Sequence, residues 1–81
     1  MISIRKIADT TADVMQIPRI AMTADSRYLP WAYGRQIASY IAQRRYGHSS
    51  TRIGFVLGNR EHSTIRHSVR KIELLIREKA A

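Results

Sequence analysis

The stretch that decides the fold is GNREHSTIRHSVRKI, residues 58–72. Gly58 ends one helical pattern, and Asn59 is predicted to cap the helix that follows. The residues after this cap are small, polar or charged, so they can present hydrogen-bond donors and acceptors to the edges of DNA bases. They are Arg60, Glu61, His62, Ser63 and Thr64. A helix that begins in this way is typical of the recognition helix of a helix-turn-helix domain.

The first helix of such a pair is predicted immediately upstream. Ser49 or Ser50 can cap a short helix, and this helix carries Ile53, Val56 and Leu57. The helix after Gly58 has apolar residues at three- and four-residue spacing, which predicts one buried stripe. The stripe consists of Ile65, Val69, Ile72 and Ile76, with Leu75 alongside. A short helix, a glycine turn and a long helix, at about residues 49–79, form the helix-turn-helix pattern.

Another helix is predicted at the N-terminus. Ser3 can cap it, and Pro18 ends it because the residue before a proline is pushed out of the helical region. Its predicted buried face consists of Ile4, Ile7, Ala8, Thr11, Val14 and Met15. Ile20 and Met22 fit one short helical turn after it.

A second long helix is predicted to begin at Pro30 and to run to about Tyr46, with Gly47 as its stop. Its apolar side is marked by Trp31, Ile37, Ala38, Ile41 and Ala42. Its polar side is marked by Arg35, Gln36, Gln43, Arg44 and Arg45. The predicted fold is therefore all-α, a small helical bundle that contains the helix-turn-helix and forms a single domain over residues 1–81.

The composition argues against several classes of protein. Without cysteine, the chain can form neither disulfides nor thiolate metal sites, and this fits a cytoplasmic location. No apolar run reaches the roughly 18 residues that a transmembrane helix needs. His62 and His67 lack the H-E-x-x-H spacing of a zinc site, and no nucleophile and base can be paired from the sequence. We therefore expect no enzyme, no metal, no cofactor and no membrane contact.

The net charge of +8 is unevenly distributed along the chain. Up to Asp25 the basic and acidic residues balance, whereas from Ser26 onward eleven Lys and Arg residues face Glu61, Glu73 and Glu78. A localised excess of positive charge favours a polyanionic partner. With the predicted fold, this favours double-stranded DNA and a location at the nucleoid.

The residues quoted above resemble a known family, the C-terminal DNA-binding domain (domain IV) of the bacterial replication initiator DnaA, which is related in fold to Trp-repressor-like helix-turn-helix domains. The family motif is close to G-G-R-D-H-[ST]-T-V-x-H-A-x-x-K-I, and residues 58–72 follow it. Residues 35–38 resemble the family element R-Q-[IM]-A, and residues 53–54 resemble its I-G. The opening helix with Ile4 and Ile7, followed by Ile17, also matches, so the resemblance extends over nearly the whole chain.

The resemblance implies roles for individual residues. Glu61, His62, Ser63 and Thr64 correspond to the residues that read bases in the major groove. Arg27 corresponds to an arginine that a basic loop places in the minor groove, and Gln36 to a phosphate contact.

Several positions depart from the family pattern. Glu61 replaces an aspartate, Asn59 a glycine and Arg66 an apolar residue. Gln43 replaces a phosphate-binding lysine, for which Arg44 or Arg45 can compensate. The basic loop is thinner, with Asp25 and Ser26 at positions where basic residues are common. The target sequence of this chain can therefore differ from that of the family.

Two sets of DNA contacts are predicted from this reasoning. The predicted base contacts are Arg27, Arg60, Glu61, His62, Ser63, Thr64 and Arg66. The predicted phosphate contacts are Gln36, Gln43, Arg44, Arg45, Ser50, Arg52, His67 and Arg70.

The principal hypothesis is sequence-specific binding of double-stranded DNA at a DnaA-box-like site, by a monomer, in the regulation of replication initiation or transcription. The alternative is a protein-interaction adaptor that binds the replication initiator or its regulators through the N-terminal helix around Asp9 and Asp13. Electrostatic binding without sequence preference is a third possibility. The chain has no G-x-x-x-x-G-K-[ST] phosphate loop, so we expect either a stand-alone domain protein or a fragment of a longer one.

Overall fold

A computed structural model describes residues 1–80 of the chain. Within this range there are four α-helices and no β-strand. The helices are α1 (Ile4–Met15), α2 (Leu29–Tyr40), α3 (Ser50–Val56) and α4 (His62–Ala80). A short 3₁₀ helix, Arg19–Met22, follows α1, and a π-helical segment, Ile41–Arg45, continues α2. The predicted all-α fold with a helix-turn-helix is thus confirmed.

Helix α1 begins and ends close to its predicted limits. The Ser3 side chain accepts a hydrogen bond from the backbone N–H of Lys6 at 3.1 Å, so Ser3 is the predicted cap. Gln16 adopts a left-handed conformation with φ 58° and ends the helix two residues before Pro18. The prediction that Val14 belongs to the buried face is wrong, because 77% of this residue is exposed. Ala12 in the same turn is fully buried and Met15 is half-buried, so Val14 lies on a side of this turn that faces solvent.

Helix α2 and the π-helical segment together form the predicted second long helix. Gly47, with φ 71°, follows the segment, and the N–H of His48 bonds to the carbonyl of Ala42 at 3.0 Å. The widened hydrogen-bonding pattern of this last turn is not visible in the spacing of apolar residues. Arg35 is a second correction, since it was predicted on the polar side and is in fact 8% exposed.

Helices α3 and α4 form the helix-turn-helix. The Ser49 side chain accepts a hydrogen bond from the N–H of Arg52 at 3.2 Å and caps α3. The prediction that Asn59 caps α4 is wrong: Asn59 has φ 60° and lies in the turn, after Gly58 with φ 88°. The first α4 hydrogen bond runs from the N–H of Ile65 to the carbonyl of Glu61 at 3.3 Å. Helix α4 therefore starts at His62, two residues later than a cap at Asn59 predicts.

One close backbone approach fixes the turn. The N–H of Arg60 donates to the carbonyl of Gly54 at 2.8 Å, and a Cβ on Gly54 would lie only 2.1 Å from the carbonyl oxygen of Arg60. A side chain at position 54 would therefore force the turn away from α3. This explains why the helix-turn-helix has a glycine inside its first helix.

The core lies where α1, α2, α3 and the first half of α4 meet. Ile65, Val69 and Ile72 of α4 are buried as predicted, whereas Ile76 is 45% exposed and is wrongly placed in the stripe. Helix α4 has 19 residues and is about 28 Å long at 1.5 Å per residue, and its residues 73–80 include no buried one. The core therefore holds the N-terminal half of α4 rigidly.

Candidate nucleic-acid interface

The first turn of α4 presents a row of polar side chains to solvent. Glu61, His62, Ser63 and Thr64 are all exposed. Within residues 1–80, none of these four side chains forms a hydrogen bond or an ion pair. The N-terminus of a helix carries a partial positive charge, which favours anionic groups such as phosphates. The predicted major-groove contacts are therefore placed together, and their polar atoms are free for a ligand.

Three further predicted contacts continue this surface along α4. Arg66, His67 and Arg70 are exposed, on the side of the helix away from the buried Ile65 and Val69. Their side chains form no ion pair in the part of the chain that the structure describes. Residues three and four apart share one face of a helix, so Arg66 and Arg70 lie one above the other. Helix α4 thus carries an exposed polar and basic face over its first three turns.

Arg60 differs from the other predicted base contacts, because its guanidinium points into the protein. Its Nε donates to the carbonyl of Leu57 at 2.8 Å, and its Nη2 donates to the carbonyl of Ala24 at 2.6 Å. The residue is only half-exposed. Arg60 therefore joins the turn before α4 to the loop that follows the 3₁₀ helix, an arrangement that the sequence did not indicate.

Arg35 holds the same loop from the other side. Its Nη1 donates to the carbonyl of Ala21 at 2.7 Å, and its Nη2 donates to the carbonyl of Ser26. Burial and then the nearby charge of Arg60 lower the pKa of Arg35 below its ordinary value, and Asp25 partly offsets this shift. A guanidinium nevertheless stays charged at neutral pH.

Arg27, the predicted minor-groove contact, lies in this loop. It is exposed, and its side chain has no hydrogen bond or ion pair within residues 1–80. The neighbouring N–H of Tyr28 donates to the Ser26 hydroxyl at 3.2 Å, and the Tyr28 ring meets Trp31 edge to face at 6.1 Å. The backbone on both sides of Arg27 is therefore anchored, while the side chain itself is free.

The predicted phosphate contacts at the end of α2 are in different situations. The Gln43 amide donates to the Ser50 hydroxyl at 2.6 Å, and Ser50 is buried, so these two side chains are bound to each other. The Arg44 guanidinium pairs with Glu73 of α4 at 3.3 Å. Arg45 and Arg52 are exposed, and neither belongs to an ion pair of the described residues. Arg45 and Arg52 are therefore the side chains most available to phosphate here.

Gln36 lines a cleft between α2 and the start of α4. Arg60, Thr64 and Ser68 line the same cleft. The buried Oε1 of Gln36 has no hydrogen-bond partner in the protein. Buried polar atoms are normally paired, so this oxygen retains the capacity to accept a hydrogen bond beside the first turn of α4, whereas a phosphate contact would use the Nε2 donor of the same amide.

The acidic residues of α1 are occupied by one arginine. Arg19 Nε and Nη2 bond to the two carboxylate oxygens of Asp13 at 3.0 and 2.7 Å, and its Nη1 lies 3.7 Å from Asp9. The surface considered for an adaptor role is therefore largely neutralised. No three His, Asp or Glu side chains in residues 1–80 are grouped so as to hold a metal ion. Over the same residues, every helix is too short or too polar to traverse a lipid bilayer.

Comparison with known proteins gives the family of the chain. The family model described as the bacterial DnaA protein helix-turn-helix matches residues 4–72. The chromosomal replication initiator protein DnaA of Paraburkholderia xenovorans strain LB400 is 41% identical over 71 residues, which are 88% of this chain and 13% of that protein. The DnaA proteins of Leptothrix cholodnii and Herminiimonas arsenicoxydans are 38% and 39% identical over the same share of this chain, and 14% and 15% of their own lengths are covered. The chain thus corresponds to a small part of these relatives, and it belongs to the bacterial DnaA helix-turn-helix family.

Proposed function

We propose that this chain binds double-stranded DNA at a specific site similar to a DnaA box. Helix α4 enters the major groove, and Arg27 enters the adjacent minor groove. The observation that carries the proposal is the free first turn of α4, where exposed side chains with no partner lie at the positive end of a helix that the core holds in place. Family membership supports the same assignment.

The roles of individual residues follow from what each side chain contacts. Base edges are read by Glu61, His62, Ser63, Thr64, Arg66 and Arg27. Phosphates are bound by Gln36, Arg45, Arg52, His67 and Arg70, with Arg44 contributing when it leaves Glu73. Gln43 and Ser50 were predicted as phosphate contacts. Because the Gln43 amide donates a hydrogen bond to the Ser50 hydroxyl, we propose instead that each side chain holds the other in position.

The biological role proposed is regulation of replication initiation or of transcription, by a monomer on DNA. The relatives are named chromosomal replication initiator proteins, and a protein that recognises a similar site would compete with an initiator or mark its sites. The adaptor alternative gains no support from the structure, because Arg19 already occupies the acidic side of α1.

Fluorescence anisotropy tests this function directly. The unaltered protein is titrated onto a DnaA-box duplex and onto a scrambled duplex of equal composition at near-physiological salt. We expect a preference of about a thousandfold, which is within the range of specific DNA-binding proteins. His62→Ala and Arg27→Ala are expected to reduce this preference, whereas Arg5→Ala, at an exposed site of α1 that is not among the proposed contacts, keeps it.

The other outcomes discriminate between the hypotheses. Equal and salt-sensitive binding to both duplexes would mean an electrostatic binder or a changed target, which selection from random duplexes resolves. No binding to either duplex would contradict the proposed function and would favour the adaptor. In that case, variants of Asp9 and Asp13 rather than of His62 should alter capture of an initiator protein.

A further inference from the structure

Two arginines, Arg35 and Arg60, hold the loop that carries Arg27. Neither of them needs to contact DNA in the proposed mode of binding. The carbonyl of Ala21, in the preceding 3₁₀ helix, and the carbonyls of Ala24 and Ser26, in the loop itself, accept hydrogen bonds from guanidinium groups. Arg35 of α2 supplies the first and the third, and Arg60, two residues before α4, supplies the second. Side chains thus fix the loop to α2 and to the turn before α4, whereas its backbone bonds from the Thr23 and Ala24 N–H groups reach only Ile20 of the 3₁₀ helix.

This arrangement has an electrostatic cost. The Arg35 and Arg60 guanidinium groups are close enough for the charge of Arg60 to lower the pKa of Arg35, and both side chains are at least partly buried. Two like charges withdrawn from water are unfavourable unless hydrogen bonds compensate. The carbonyls of the loop supply these bonds, so the position of the loop and that of the two arginines depend on each other.

A second, independent contact joins the loop to the helix-turn-helix. Gly58 lies in the turn with φ 88°, and a Cβ at this position would lie 2.6 Å from the carbonyl oxygen of Thr23. The turn before α4 therefore packs directly against the start of the loop. Arg60 adds its bonds to Leu57 and Ala24 on the same side. Loop, turn and the start of α4 form one connected unit.

We propose that Arg60 is a positioning residue that sets the location of Arg27 relative to α4, so that the two grooves are read in one register. The inference rests on the proposed function. Arg60 does not itself read a base, since its Nε and Nη2 donors are used inside the protein. A loop without this bond samples several positions, and a binding-competent position that is only partly populated weakens binding in proportion.

The first test needs no DNA. Arg60→Lys keeps the positive charge, but one ammonium group cannot reproduce the two-sided contact of a guanidinium fork with Leu57 and Ala24. We expect amide hydrogen exchange at Ala24 and Tyr28 to quicken by about tenfold, while Ala38 and Val69 in the helices keep their protection. Arg5→Lys, an arginine of α1 outside this unit, is the matched control. Unchanged exchange at Ala24 and Tyr28 in Arg60→Lys would overturn the positioning role.

The second test is a double-mutant cycle of Arg60→Lys and Arg27→Ala, measured as affinity for the DnaA-box duplex. We expect Arg60→Lys alone to lose about tenfold in affinity, and the double variant to bind as weakly as Arg27→Ala does. Two losses that multiply would show that Arg60 acts independently of Arg27, which overturns the proposal. If the unaltered protein does not prefer the box duplex, both the proposed function and the positioning role of Arg60 are overturned. If only the positioning role is wrong, the unaltered protein still prefers the box duplex.

Discussion

At the scale of single residues, the arginines around the start of α4 differ in what their guanidinium groups contact. Arg35 and Arg60 bond to backbone carbonyls of the loop, whereas Arg27 and Arg66 are exposed and form no ion pair within residues 1–80. The inward pair fixes geometry, and the outward pair is free to meet DNA. The local chemistry of each arginine, and not the net charge of the chain, therefore decides its role.

Gly54 gives the sharpest prediction for stability. In Gly54→Ala the added Cβ would lie 2.1 Å from the carbonyl oxygen of Arg60, a backbone atom that cannot turn aside. We expect a loss of about 3 kcal/mol in the free energy of unfolding, the upper part of the range for overpacking. Urea denaturation measures it. Gly47→Ala is the comparison, because no atom lies within 4 Å of its Cβ and its φ of 71° alone should cost about 1–2 kcal/mol. Equal losses for the two variants would contradict this account.

The Asp13–Arg19 pair predicts a pH dependence. The hydrogen bond from Arg19 lowers the pKa of Asp13 below its ordinary value. Because the folded pKa is the lower one, the stabilisation is complete above the unfolded pKa of about 4 and is lost as the pH falls through the folded pKa. Asp13→Asn should therefore lower the melting temperature at pH 6 but make little difference near pH 2. Glu78→Gln, an exposed residue with no ion pair in the described range, is the control. An equal effect of Asp13→Asn at both pH values would refute the linkage.

At the scale of elements, the two halves of α4 have separate tasks. The first half is packed against α2 and α3 through Ile65 and Val69 and presents the polar face. The second half, residues 73–80, contributes no buried residue, and Ile76 is 45% exposed. A recognition helix needs a rigid start, and the packing is concentrated there.

This division predicts unequal costs for two similar substitutions. Ile65 is 2% exposed, so Ile65→Ala should cost about 3 kcal/mol of unfolding free energy. Ile76→Ala should cost less than about 1 kcal/mol, as surface substitutions do. Chemical denaturation at two protein concentrations checks both values. A large, concentration-dependent loss for Ile76→Ala would instead indicate that the end of α4 is covered by a second copy of the chain.

The same elements show what could be predicted from the sequence. Caps and stops are local, so Ser3, Gly47 and Gly58 were correctly identified from residue type and position. The start of α4 was misplaced because Asn59 suits both a cap and a left-handed turn, and only the contact of Gly54 with Arg60 decides between them. Val14 and Ile76 follow the helical period but are 77% and 45% exposed, because an apolar residue at the right spacing need not be covered by a neighbouring element.

The candidate site was predicted less completely than the fold, for a physical reason. The exposed row from Glu61 to Thr64 follows from its place at the start of a helix. The burial of Arg35 and the inward bonds of Arg60 depend on carbonyls that are 14 and 36 residues distant in the chain. The spacing of apolar residues cannot reveal such bonds. Charged side chains are usually exposed, so nothing in the sequence marks an arginine whose guanidinium is buried. The pairing of Gln43 with Ser50 escaped prediction for the same reason.

At the scale of the whole molecule, the charge distribution follows the proposed orientation on DNA. The acidic residues of α1 are paired with Arg19. The exposed arginines that are predicted to meet phosphates and form no ion pair in the described residues lie on the π-helical segment, α3 and α4. This asymmetry would orient the approaching protein, since a one-sided positive field steers association with a polyanion. In the proposed complex, this positive charge would add affinity for any duplex, and the first turn of α4 and Arg27 would supply the discrimination between sequences.

Salt dependence tests this separation. Arg45, Arg52 and Arg70 are exposed, form no ion pair in residues 1–80 and are proposed to contact phosphate, and three such contacts imply a slope of about −3 in log K against log salt concentration. Arg45→Gln should reduce the steepness by about 1 and weaken binding to box and scrambled duplexes equally. Arg77→Gln, near the far end of α4, should leave the slope unchanged. If Arg45→Gln weakened binding to the box duplex alone, Arg45 would contact bases rather than phosphate. The positive surface would then contribute to sequence specificity and not only to affinity.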